Sequence, residues 1–91
     1  MAGVTNNEAQ QRYELDVGGD LAVAAYRRQG NVVTFTHMEV PQALEGIGIG
    51  TRLIAAALED VRQRGLRIVP ECPFVASYVA RHPDMHDLVG A

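Results

Sequence analysis

Apolar and polar positions alternate along the first forty residues and then recur at spacings of three and four, so the chain passes from strands into helix. Tyr13, Leu15 and Val17 alternate with Glu14 and Asp16, the period of a half-buried strand. Gly18-Gly19-Asp20 is a turn. Leu21 to Arg28 predicts a second strand, with Leu21, Val23 and Ala25 on one face and Tyr26 on the other. Gln29-Gly30-Asn31 turns again, and Val32 to Val40 is rich in β-branched and aromatic residues. Three strands joined by tight turns predict an antiparallel meander, which Pro41 ends. Ahead of it, residues 1–10 are polar and read as a flexible tail.

Leu53, Ile54, Ala57, Leu58 and Val61 lie on one side of a helix spanning about Ile49 to Arg64, with Gly65 where a C-terminal capping glycine belongs. Leu66 to Val69 is a short apolar strand stopped by Pro70. A strand, a helix and a returning strand make a right-handed crossover, which sets this strand parallel to Val32–Val40. Pro73 suits the first turn of a second helix, Phe74 to about Arg81, closed by His82-Pro83. Leu88 and Val89 form a last apolar patch, as a strand or a docking tail. The layout is an α+β domain over residues 11–91, a meander followed by β-α-β-α around one mixed sheet.

Composition narrows the partners. The 91 residues carry 8 basic and 11 acidic side chains, for a net charge of −3, and contain no run of Lys or Arg. Nucleic acid is therefore not an expected partner. No stretch is long and apolar enough for a membrane span, and Met1 to Gln11 has no apolar signal core. The single cysteine, Cys72, suits a reducing compartment, and these features together give a cytoplasmic expectation.

Candidate chemistry centres on Gly46, Gly48 and Gly50, which run directly into the first helix. A helix start offers unpaired N–H groups and the positive end of the dipole, and glycines let an anion approach closely. The segment reads as a phosphate cradle. It is not a P-loop, which needs a lysine that is missing here. Nor does it open directly from its strand as a dinucleotide loop does, because Pro41 to Glu45 intervene.

The strand, the Pro-containing connection, the x-x-x-Gly-x-Gly helix start and the returning strand resemble the core of the Gcn5-related N-acetyltransferases. The strings Thr36-His37-Met38-Glu39-Val40-Pro41, Val69-Pro70-Glu71-Cys72-Pro73-Phe74 and Tyr78-Val79-Ala80-Arg81-His82-Pro83 are similar to the small YjdJ-type branch of that family. The likeness runs from about Tyr13 to Val89. It implies a compact acetyltransferase fold that binds acetyl-coenzyme A and transfers the acetyl group to an amine on a small molecule or a protein. It further implies a pyrophosphate held by Gly46, Ile47, Gly48, Ile49, Gly50 and Thr51, and a pantetheine arm along Met38 and Val40, where the flanking strands splay. The family usually has Arg or Gln at the position of Glu45. A carboxylate beside a phosphate costs up to about 1 kcal/mol at an exposed site.

Acetyl transfer needs a base for the incoming ammonium and a proton for the departing thiolate. His37 and Glu39 sit two apart near a strand end and can serve as the base; in an unbroken strand they share the face of Val33 and Phe35. The plainer reading is that polar residues at strand ends often face solvent. Cys72, after the returning strand, is a buried small hydrophobe or an acyl carrier. Its thiolate would be favoured by the helix start after Pro73 or by His37, and the resemblance implies the catalytic role. Tyr78 resembles the proton donor of many family members, or else packs on Phe74 one turn away. No metal site is expected. The competing function is a coenzyme A or acyl-coenzyme A binding module without catalysis.

Overall fold

The computed structural model describes residues 3–90. Five strands form one sheet in the order β1-β2-β3-β4-β5: Val4–Asn7, Arg12–Val17, Asp20–Gln29, Val32–Glu39 and Arg67–Pro70. The first four pair antiparallel and β5 runs parallel to β4. Helix α1, Ile49–Gln63, makes the crossover, and α2, Pro73–Arg81, follows β5. The expected α+β meander and β-α-β-α layout is present.

One boundary moves. Residues 1–10 read as a flexible tail, yet Val4–Asn7 is a strand in register with Arg12 to Leu15, and Glu8–Gln10 is a 3-10 turn. Backbone pairing and Val4, whose side chain joins the core, hold a segment whose other residues are polar. Residues 1 and 2 lie outside the described part of the chain.

Burial is one-sided. Leu15, Tyr13, Ala22, Ala24, Tyr26, Val33, Phe35 and Ile68 from the sheet meet Leu53, Ile54, Ala57, Leu58 and Val61 of α1 and Val75, Tyr78 and Val79 of α2 in one cluster. Tyr13, Tyr26 and Phe35 pack ring on ring at 5.4, 6.1 and 6.2 Å. The opposite face carries Thr5, Arg12, Glu14, Arg27, His37 and Glu39, placed there by the register. It is a two-layer structure, with both helices on one side.

The ends of α1 are built differently. At its C-terminus Gly65 takes φ +69°, its N–H donates to the Arg62 carbonyl, and the Leu66 N–H donates to Val61. This is the expected glycine cap, in the two-bond Schellman form. The C-terminal residues resolve the open choice at Leu88 and Val89. Pro83–Leu88 is a 3-10 segment, and Val89 makes a single parallel bridge to Ile68.

Asp60, absent from the apolar pattern of α1, is buried nonetheless. The Tyr13 hydroxyl donates to it at 2.7 Å and the Arg64 guanidinium at 2.9 Å. This bond ties the C-terminal half of α1 to β2 through the core. Burial, then the bond to Asp60, pushes the Tyr13 phenol far above its ordinary range; burial also raises Tyr26 and Tyr78.

Tyr13→Phe is expected to cost about 1–3 kcal/mol in urea unfolding, because a buried carboxylate loses a donor. All three tyrosines hold their protons more tightly folded than unfolded. Their contribution is complete below the unfolded-chain pKa of about 10 and is lost as pH climbs toward the folded values. Tyrosinate absorbance should therefore appear at higher pH in the native protein than in the urea-unfolded chain, and stability should fall with pH across that interval.

Candidate functional site

The connection from β4 to α1 is shaped by short local bonds. Gln42–Leu44 forms a 3-10 turn, in which the Leu44 N–H donates to Pro41 and the Glu45 N–H to Gln42. Leu44 is buried and anchors it. Gly46 and Gly48 then take φ +79° and +78°, where a side chain is strained. Gly50 has an ordinary φ, but a Cβ there would lie 3.0 Å from the Phe74 ring. Conformation thus requires the first two glycines, and packing the third.

Gly48 caps α1 and has no side chain to offer. The first helical bond is Arg52 N–H to Gly48 carbonyl at 3.0 Å. The N–H groups of Ile49, Gly50 and Thr51 therefore have no acceptor within the helix. They open onto a pocket of about 260 Å³ lined by Val40, Leu44, Glu45, Ile49, Thr51, Phe74 and the three glycines. Of the expected cofactor residues, Val40, Gly46, Gly48, Ile49, Gly50 and Thr51 line it. Ile47 does not and is 65% exposed, and Met38 lies against Gly50. The first turn of the helix carries no acidic residue, so Glu45 is the one carboxylate on the pocket wall.

Beside this pocket the sheet parts. β4 pairs with β5 only as far as Phe35 opposite Pro70. The Cys72 N–H then donates to the Phe35 carbonyl at 2.9 Å, and the chain turns into α2. Thr36 to Glu39 continue without a β5 partner. β5 itself ends at Pro70, so on that side the edge of β4 beyond Phe35 has no strand beside it.

A β-bulge in this stretch corrects the expected facing of the candidate base. Tyr26 pairs with Phe35, but Ala25 pairs with His37 and Ala24 with Met38. Thr36 is the extra residue, its hydroxyl donating to the Ala25 carbonyl at 3.3 Å. The bulge inverts the alternation. Met38 joins Phe35 on the helix side, and His37 and Glu39 point to the open face. There the imidazole Nε2 meets the Glu39 carboxylate at 2.8 Å, both groups well exposed.

The other candidates sit on the opposite side. Cys72 is 4% exposed at the N-cap of α2, inside the core cluster, and its thiol makes no cap bond. No bond joins it to His37 among the described residues, because His37 is on the other face and engaged with Glu39. Tyr78 is also in the cluster. Its ring stacks on His82 at 3.9 Å, in place of the expected Phe74 contact. Burial first, and then Asp84, raises its phenol, which therefore holds its proton more tightly than a free tyrosine. Arg81 donates to Ser77, and the His82 imidazole lies 2.7 Å from the Tyr78 carbonyl, at the end of α2 away from the glycine turn. Neither Cys72 nor Tyr78 lines the pocket.

The fold is an α+β meander whose crossover helix starts at a glycine turn. Residues 12–88 match the sequence profile of the GCN5-related N-acetyl-transferases. The chain belongs to that family. It is 31% identical over 83 residues to Protein NATD1 of Mus musculus, spanning 88% of this chain and 76% of that protein. Against NATD1 of Homo sapiens the identity is the same, with 74% of the human protein spanned. The solution structure of a GCN5-like protein from Staphylococcus aureus superposes with a TM-score of 0.72 at 23% identity. That match covers 100% of this chain and 92% of the other, and it supports the fold. Among the described residues no His, Cys, Asp and Glu group could hold a metal, and no helix is long and apolar enough to cross a membrane.

Phe74 and the pocket-facing Glu45 were not among the expected site residues. The glycine at position 50, with no positive φ to require it, is the signal that something packs there. Gly48→Ala should weaken inorganic pyrophosphate binding in calorimetry, since the left-handed conformation costs a side chain about 1–2 kcal/mol. Glu45→Gln should tighten it by up to about fivefold, the equivalent of about 1 kcal/mol.

Proposed function

We propose that this chain is an N-acetyltransferase that binds acetyl-coenzyme A at the Gly46–Thr51 turn and transfers the acetyl group directly to an amine. The observation that carries this reading is the set of unpaired helix N–H groups opening beside a gap in the sheet. The backbone of Gly48 to Thr51 fits a pyrophosphate, and Met38 and Val40, at and just past the end of β4 where no β5 strand lies alongside, fit an amide-bearing arm. Acetyl-coenzyme A supplies the activated acyl group and a thiolate leaving group when bound.

The chain's own residues divide the remaining work between two faces. On the open face Glu39, with His37 bonded to it, takes the proton from an incoming ammonium. No helix intervenes between β2 and β3, so an amine reaches this pair without passing a protein wall. On the helix side the Tyr78 phenol returns a proton to the leaving sulfur. Cys72 carries a second reading. It is pinned by its own N–H to Phe35 at the root of the gap, from which a thiolate could accept the acetyl group before the amine does.

Incubation with acetyl-coenzyme A and an amine panel, followed by thiol release and intact mass, separates these routes. Direct transfer is expected to survive Cys72→Ser, while Glu39→Gln lowers kcat by about 10²–10⁴ with little change in KM. An acetyl adduct on the wild type that Cys72→Ser abolishes, together with lost turnover, would establish the covalent route. Binding with neither turnover nor adduct would make the protein a binding module. Absence of binding would end the coenzyme reading.

A further inference from the structure

The two edges of the sheet are finished differently. At the β5 edge Val89 bridges to Ile68, and the Gly90 N–H donates to the Ile68 carbonyl at 3.1 Å. Two residues on, Pro70 ends the strand with no N–H to offer a neighbour. At the β1 edge no strand lies alongside among the described residues. Val4-Thr5-Asn6-Asn7 carries no charged residue and no proline, two of the devices that blunt such an edge. Its asparagines do not cover it either. The Asn6 side-chain oxygen accepts from the Tyr26 hydroxyl at 2.6 Å, and the Asn7 amide donates to Glu14 at 3.0 Å. Both are turned back into their own sheet.

Helix α1 presents a matching flank beside this edge. Arg52 and Glu59 are exposed and Ala56, between them, is half-buried; their spacing of four and three puts them in one line. An Arg52 guanidinium nitrogen lies 4.0 Å from the position a Gly3 Cβ would take, one residue ahead of β1. The line therefore runs along the β1 side of the helix. Arg62, on the other flank, is already held by Asp87 at 2.8 and 3.0 Å. Arg52 and Glu59 make no ion pair among the described residues.

We propose that β1 pairs antiparallel with β1 of a second copy, joining two five-stranded sheets into one and setting Arg52 of each α1 against Glu59 of the other. Antiparallel pairing puts the dyad perpendicular to the sheet and keeps both helix layers on one side. Residues of like facing then lie opposite each other, so the dyad passes through Thr5 or Asn6. The same dyad reverses one α1 relative to the other. The cationic end of one flank thus meets the anionic end of its mate, with Ala56 at the centre. A head-to-tail assembly would need β1 to meet the β5 edge, which Val89 and Pro70 close, so the contact ends at two copies. His37 and Glu39 lie on β4, outside it, and the proposal does not rest on the coenzyme reading.

Sedimentation equilibrium of the full chain from about 1 µM to about 1 mM should show the mass rising from 9.9 kDa to twice that and no further. Arg52→Glu and Glu59→Arg should each weaken association about tenfold or more, because each turns two attractive pairs into repulsive ones. The double exchange should restore it. Both positions are exposed, so circular dichroism should show the fold unchanged. Amide exchange at residues 5–7 should slow as concentration rises. A chain that stays monomeric throughout overturns the proposal. So does a dimer that keeps its affinity in both single variants, is not restored by the double exchange, or leaves the β1 amides exchanging at the monomer rate. Mass growing past two copies defeats the closed dyad.

Discussion

The functional half of this molecule depends on where one strand pairing stops. β4 and β5 share a parallel ladder only to Phe35 and Pro70, and Pro70 is itself unable to donate the next bond. The Cys72 N–H closes the account at the Phe35 carbonyl. Beyond it, β4 carries backbone groups with no β5 strand to satisfy them, next to a helix start with free N–H groups. Both are costs to an isolated fold unless water or a ligand meets them. Two adjacent sets of unmet donors and acceptors, one at a helix end and one at a strand edge, suit an elongated ligand with an anionic head and an amide-bearing body.

Stability is assembled away from this gap. The tyrosine and phenylalanine stack, the apolar face of α1 and the Tyr13–Asp60–Arg64 bonds lie under the meander. They fix the C-terminal half of α1 against β2 and β3, while Ile49 and Gly50 of its first turn are buried in their own right. The Tyr13 bond is the more constraining because its acceptor is a buried carboxylate, which tolerates the loss of a partner poorly.

Much of this was legible from residue spacing. The 3.6-residue period located α1, the glycines and prolines located its ends, and alternation located β2 to β4. The family resemblance read the glycine turn as a binding element, the reading proposed above. Three features were hidden for identifiable reasons. β1 has one core side chain in four residues, so its pairing rests on backbone bonds that leave no apolar period. Asp60 is polar in the middle of a buried face, and only its spatial partners Tyr13 and Arg64 make that tolerable. The bulge at Thr36 adds one residue to one strand, a change that no hydrophobic pattern in so short a segment reveals. That single residue reverses where His37 and Glu39 point.

The bulge also sets what each face of so thin a fold carries. Without it, Met38 would face away from α1, and His37 and Glu39 would be driven into the apolar cluster beside Phe35. A carboxylate and an imidazole there would be costly to desolvate. With it, the same five-residue stretch gives an apolar wall to the pocket side and a hydrated acid–base pair to the other. Both described helices lie on one side of the sheet. The sheet itself therefore stands between the glycine turn and the His37–Glu39 pair, and the β4–β5 ladder ends beside both.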